Sequence, residues 1–148
     1  ARAQSMMMQH SNELNKTCQV FHEQVQLLGI DTDFSYLWLP EEEKNEHVFW
    51  ATWQDDSSEF RNKLVTYPLD KTDPIIVDCY LAWESENPVH VNKVEPENVA
   101  SYFNDWAELL DGVEKFKPRH YSDGLYYVDA YMKYGCFGLM TRKLLTKD

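Results

Sequence analysis

Apolar residues recur through the first part of the chain with a helical rhythm. Met7, Ser11, Leu14, Cys18, Phe21, Val25 and Leu28 place an apolar or small side chain at alternating steps of four and three, the heptad spacing of a packed helical seam. No Pro or Gly interrupts Arg2 to Leu28, so the stretch reads as one helix, with Gly29 in the place of a left-handed cap. At ~1.5 Å per residue it would reach about 40 Å, more than a small domain needs to cover its own core. Val20 to Leu28 is broadly apolar (Val20, Phe21, Val25, Leu27, Leu28) and suits burial on a sheet. Ala3 to Asn15 has a narrower stripe and three consecutive Met, a soft and adaptable surface. Either the whole helix packs on its own domain, or its first half, through Met7, Ser11, Leu14 and Cys18, pairs with a second copy. On the second reading, truncating residues 1–15 disturbs assembly, and changing Phe21 or Val25 disturbs folding.

After Gly29 the period drops to two. Phe34 to Leu39 alternates Phe34, Tyr36 and Trp38 with Ser35, Leu37 and Leu39, a strand largely apolar on both faces. Pro40 to Asn45 is a charged turn. Glu46 to Trp53 is the returning strand of a hairpin, with Val48, Trp50 and Thr52 on one face and His47, Phe49, Ala51 and Trp53 on the other. Arg61 to Leu69 holds a third strand marked by Leu64 and Thr66. Thr72 or Asp73 caps a helix with Pro74 at its first position, running to about Glu84 and burying Ile75, Ile76, Cys79, Tyr80 and Trp83. Pro88 to Val94 is a short strand, and Glu95 to Leu110 a helix with Val99, Tyr102, Phe103, Trp106, Leu109 and Leu110 inward. Leu125 to Lys133 and Cys136 to Thr141 form a last hairpin, with Tyr127, Asp129 and Tyr131 sharing a face. Gly138 inside the final strand signals a bulge or a close approach by another backbone or ligand. Arg142 to Asp148 reads as the first turn of a further helix. The order of elements predicts an α+β fold: one domain over 1–148, a roughly six-stranded antiparallel sheet with helices on its faces.

Composition narrows the partners. The chain has 148 residues and a formal net charge of −11, a surface that repels nucleic-acid phosphates and anionic membranes. With 14 % aromatic residues there is ample material for a core. Three cysteines, Cys18, Cys79 and Cys136, lie far apart with no Cys-x-x-Cys, which predicts free thiols, a reducing cytoplasmic setting and neither a disulfide framework nor a zinc knuckle. No apolar run approaches ~20 residues, so no membrane insertion is expected.

The chain as a whole resembles the GAF fold, related to PAS. More closely, it looks like the GAF-like sensor modules of multidomain bacterial signalling proteins. The carrying residues are Arg2-Ala3-Gln4-Ser5-Met6-Met7-Met8 with Ser11-Asn12-Glu13-Leu14, then Leu27-Leu28-Gly29-Ile30 and the strand Tyr36 to Leu39. Pro74-Ile75-Ile76 with Tyr80-Leu81-Ala82-Trp83, and Tyr134-Gly135-Cys136-Phe137-Gly138-Leu139, complete them. The resemblance implies a sensory domain of a two-component system, upstream of a histidine kinase or other output domain in the same polypeptide. It also implies a homodimer formed through terminal helices and, as in some GAF domains, a cyclic nucleotide, tetrapyrrole or other small molecule as ligand. The sequence carries neither an Asn-Lys-x-Phe-Asp motif nor a chromophore-attachment cysteine, so the cofactor is unspecified. In this family the pocket lies between one sheet face and its covering helices. Trp50, Trp53, Tyr80, Trp83, His90, Tyr127 and Tyr131 are its candidate lining, large and apolar with a few polar tips. The same residues also read as a filled aromatic core.

Catalytic and metal motifs are not legible. His22-Glu23 lacks the second His of a zinc helix, since position 26 is Gln. His10 lacks the context of a phospho-accepting histidine. Gly135-x-x-Gly138 lacks the third glycine and following helix of a dinucleotide loop. None of the five His (10, 22, 47, 90, 120) stands at ligand spacing from another, so no metal site and no catalytic residue is predicted. Lys115, Lys117 and Arg119 form a basic cluster that reads as a solvated loop or an anion site. Two alternatives to a sensor remain: a small enzyme assembled from dispersed residues such as His47, His90, Asp129 and Tyr131, and a ligand-free protein-interaction module.

Overall fold

A computed structural model of the chain describes residues 11–54, 59–86, 88–107 and 121–145. Among them are three helices, α1 (Ser11–Leu27), α2 (Pro74–Glu84) and α3 (Pro96–Ala107). Six strands complete the fold: β1 (Phe34–Glu41), β2 (Glu46–Gln54), β3 (Phe60–Pro68), β4 (Val89–Val94), β5 (Leu125–Met132) and β6 (Gly135–Thr141). They form one sheet in the order β3-β2-β1-β6-β5-β4, antiparallel at every pairing. The expected α+β architecture is therefore present. No helix among the described residues is long and apolar enough to cross a membrane. Met7, Lys115, Lys117 and Arg119 lie outside the described residues.

Local chemistry sets the element ends. Gly29, at φ +82°, follows α1; its N–H bonds the carbonyl of Gln26 and that of Ile30 bonds Val25, the paired bonds of a left-handed helix stop. Asp73 is the N-cap of α2, its carbonyl taking the first helical bond from Val77 at 2.9 Å. The β1–β2 hairpin turns through a short 3-10 segment, Glu42–Lys44, closed by Asn45 in the left-handed region. After β6 the chain does not start a helix at Arg142, as the sequence suggests. Arg142 folds back to Asp31 at 2.8 Å and to Asp33, and Thr141 bonds the carbonyl of Lys143.

The two sheet faces are covered differently. On one, α2 and α3 enclose a large aromatic core that includes Phe34, Tyr36, Trp38, Phe49, Trp53 and Tyr127 from the strands. On the other, Cys18 of α1 joins Leu37 and Trp50, flanked by Leu14, Leu39 and Phe137. Phe21 stacks near Phe137 with ring centroids 4.8 Å apart. Three polar pairs fasten this helix: Trp50 Nε1 donates to Asn15 at 2.5 Å, His22 Nδ1 meets Ser35 Oγ at 2.8 Å, and Gln26 donates to Gln54 at 2.8 Å.

The structure refines the sequence expectations at three places. Val20, Leu27 and Leu28 are exposed: the buried stripe of α1 runs through Cys18, Phe21, His22 and Val25, a 100° step per residue carries Val20 and Leu27 off it, and Leu28 continues the stripe only in register, lying in the turn beyond the last residue of α1. Leu64 is likewise exposed, while its neighbours Val65 and Tyr67 point into the core. Gly138 makes no bulge: the register Tyr36↔Gly138 and Asp129↔Gly138 is continuous.

Candidate functional site

Strand β5 turns Leu125, Tyr127, Asp129 and Tyr131 toward the α2–α3 face by its two-residue period. A carboxylate thus enters an aromatic core, and Asp129 is 1 % exposed. Its β6 neighbour is Gly138, beyond which stands Tyr36 of β1. With no side chain on Gly138, the Tyr36 phenol reaches across β6 and donates to Asp129 Oδ1. A β-carbon at Gly138 would lie closer than 3.0 Å to both the Tyr36 ring and that oxygen. The close approach at this glycine is made by two side chains of the chain itself, where the sequence suggests another backbone or a ligand.

The second carboxylate oxygen faces a mixed group. Cys79 Sγ of α2 lies 3.7 Å from Asp129 Oδ2, the Tyr131 hydroxyl 3.5 Å, and His90 Nδ1 of β4 3.7 Å. The thiol and hydroxyl are long, weak donors; the imidazole distance is beyond hydrogen bonding. His90 Nε2 is 2.9 Å from Asp78 Oδ2. Cys136 Sγ stands 3.9 Å from Oδ1.

Electrostatics holds these donors in their protonated forms. Burial, with the charge of Asp129 adding to it, pushes the Cys79 thiol up to about 12. Cys136 and the phenols of Tyr36 and Tyr131 are raised for the same reasons in the same order. The facing Asp129 carboxylate is the main influence raising His90, against the opposing effect of burial. No thiolate nucleophile is poised here, since a reactive cysteine needs a lowered pKa.

Above the carboxylate lies a cavity of about 50 Å³, bordered by Tyr36, Tyr67, Cys79, Tyr102, Asp129 and Cys136 among others. It has room for a few water-sized groups, far below the roughly 300 Å³ at which drug-sized pockets begin. A second, open hollow of about 580 Å³ runs past Trp83, Glu84, Tyr131 and Lys133.

The structure separates the residues that sequence grouped as one pocket. Tyr127 lines the small cavity, His90 and Tyr131 meet Asp129, and Trp83 and Tyr131 border the larger hollow. Trp53 and Tyr80 are packed into the aromatic core. Trp50 cannot join them: it faces α1 on the opposite side of the sheet, because it and Trp53 differ by an odd number of strand positions. Of the helix residues assigned to a partner copy, Leu14 and Cys18 are occupied by the chain's own sheet, and Ser11 opens the described part of α1. Of the dispersed enzyme set, His90, Asp129 and Tyr131 converge. His47 is apart, taking a hydrogen bond from Trp38 Nε1 at 2.7 Å under the Tyr67 ring. Sequence reasoning overlooked Tyr36 and Cys79 as site residues. The available signal was Asp129 itself, an acid on the inward side of an aromatic strand.

No family model, no curated protein and no solved structure matches the chain.

Proposed function

We propose that the chain is a non-catalytic sensory or regulatory domain of GAF-like type. A small ligand bound at Asp129, under α2 and α3, alters the seating of α1 on the far face. The observation that carries this reading is the double engagement of β1. Tyr36 holds Asp129 on one side of the strand, while on the other Ser35 holds His22 and Leu37 packs on Cys18. Any displacement of Tyr36 is one residue away from both contacts of α1. A ligand that prefers one position of Tyr36 shifts the population of α1 arrangements, and α1 passes the change to a second copy or to an output domain of the same polypeptide.

The convergence of His90, Asp129 and Tyr131 also suits a small enzyme. The raised thiol and phenol pKa values favour binding over catalysis, because they leave the site without an activated nucleophile. Hydrogen exchange of α1 with and without a bound ligand tests the relay. Slower exchange of α1 amides on binding at Asp129, with a changed dimer fraction in sedimentation, is the expected result. Unchanged exchange and mass at saturating ligand would defeat the proposal.

A further inference from the structure

We infer that Cys79, His90 and Asp129 form a binding site for a divalent transition-metal ion, with Zn²⁺ the best match. The inference rests on the sensory reading of this face and names the class of its ligand. The three residues come from α2, β4 and β5, and one ligand atom of each lies within 4.8 Å of the others. Both distances from Asp129 Oδ2, to Cys79 Sγ and to His90 Nδ1, are 3.7 Å. Ligand atoms around a tetrahedral zinc ion, with bonds of about 2.0–2.3 Å, are separated by roughly 3.3–3.8 Å. The two edges that meet at Asp129 therefore already have the length of such a tetrahedron's, and the Cys79–His90 edge, within 4.8 Å, needs at most a small closure.

The orientation of His90 points the same way. Asp78 can only accept, so Nε2 carries the proton of that 2.9 Å contact. Neutral His90 then turns the lone pair of a buried Nδ1 toward Asp129, and that atom has no hydrogen-bond partner among the described residues. A lone pair facing a carboxylate oxygen is repulsive, and either a proton on Nδ1 or a metal cation between the two atoms relieves it; the metal also engages the Cys79 sulfur beside them. Asp78 occupies the position of the outer carboxylate that commonly orients a metal-bound histidine.

Charge and access agree. Zn²⁺ entering the site displaces the Cys79 proton to solvent, forming a Zn–S bond where the S–H bond breaks. The ion, one thiolate, one carboxylate and a neutral imidazole sum to zero charge, which an aromatic core accommodates better than a lone carboxylate. His90 lies on the edge strand β4 with its side chain 15 % exposed, so an ion has a route in. A nitrogen, sulfur and oxygen ligand set favours zinc over magnesium or calcium, which prefer all-oxygen shells. The fourth position faces the Tyr131 hydroxyl or solvent.

Zinc content of the purified chain, followed by Co²⁺ titration of chelator-treated protein, tests the site. One ion per chain is expected, together with the near-ultraviolet thiolate-to-cobalt band and intense visible bands of a tetrahedral centre. His90→Ala and Cys79→Ser should each abolish the stoichiometric ion and the thiolate band. Cys136→Ser should keep both, and the exposed-side variant Asp78→Asn should weaken binding about 10- to 100-fold. Circular dichroism checks folding of every variant, and the cobalt spectrum of the unaltered chain stands even where a variant fails to fold. Absence of a thiolate band in the unaltered chain, or a bound ion that survives His90→Ala and Cys79→Ser together, would overturn the inference. If the chain instead retains an organic molecule lost in His90→Ala, the metal inference falls and the sensory reading stands. If zinc binds here but α1 exchange is unchanged, the metal site stands and the sensory reading falls.

Discussion

The two faces of the sheet solve the burial problem in opposite ways. The α1 face has a small apolar cluster held in place by polar pairs: Asn15 with Trp50, His22 with Ser35, Gln26 with Gln54. Beyond α1, Val89, Val91 and Met132 on the β4–β5 side remain substantially exposed. The α2–α3 face has a continuous aromatic core, and a deeply buried acid, Asp129, stands beside a cavity. Polar pairs add little net energy but specify which residues meet, whereas apolar packing supplies energy with less specification. The first face thus fixes where α1 sits, and the second supplies most of the stability and concentrates its polar chemistry at one point, Asp129.

Unequal damage from equivalent truncations is the strongest way to break this comparison. Phe34, 1 % exposed in the aromatic core, should lose about 3–5 kcal/mol on Phe34→Ala. Half-buried Phe21 should lose markedly less on Phe21→Ala. Urea midpoints of the two variants at constant m-value measure the difference, and equal losses would mean that the faces contribute alike.

Acid should weaken both faces, because each buries a neutral histidine. Burial lowers His22 and His47 to about 4 from an unfolded value near 6.5. Between those values the unfolded chain binds more protons, so stability is fully present above about pH 6.5 and is lost as pH falls through about 4. Each histidine accounts for up to about 3 kcal/mol of that loss. At His47, protonation of Nδ1 would also expel the Trp38 hydrogen bond. Denaturation midpoints from pH 7 to pH 4 should fall steadily, and His22→Gln should flatten part of the slope; a flat wild-type profile would contradict the burial of both rings.

Gly138→Ala sharpens the view of the Asp129 side. The new methyl group must displace the Tyr36 ring or the Asp129 carboxylate, an overpacking cost of about 1–3 kcal/mol. The same variant should reduce any binding at Asp129 while leaving the Trp50–Asn15 pair intact. Thermal unfolding together with Trp fluorescence reads both effects. Trp50→Phe removes the hydrogen bond to Asn15, about 1 kcal/mol, and leaves a void in the buried cluster with Cys18 and Leu37; it should loosen the first turns of α1, and hydrogen exchange at that end of α1 is the signature.

The start of α1 shows how far a pattern extends. The spacing of Leu14, Cys18, Phe21 and Val25 correctly marks a packed seam, but a seam does not say against what. Leu14 and Cys18 meet the chain's own sheet, and Asn15 bonds Trp50, so removing residues 1–15 would damage folding as well as any assembly. A deletion restricted to residues 1–10 is the cleaner probe of pairing between copies.

The linear pattern was sufficient for the element order, because helical and strand periods are local properties of a dozen or fewer residues. It also assigned the strand faces in β1, β2 and β5: parity alone separates Trp50 from Trp53 and places Asp129 among aromatic residues. Which strands adjoin was a tertiary decision. β1 pairs with β6 across most of the chain, a non-local choice with no short-range signature. That pairing puts Gly138 between Tyr36 and Asp129, while the packing of α2 brings up Cys79 and the pairing of β4 with β5 sets His90 opposite Asp129. Cys79 and Asp129 are 50 positions apart in sequence, so no ligand spacing could announce them. Periodicity tells each residue which way to face; only the packed sheet decides what it faces.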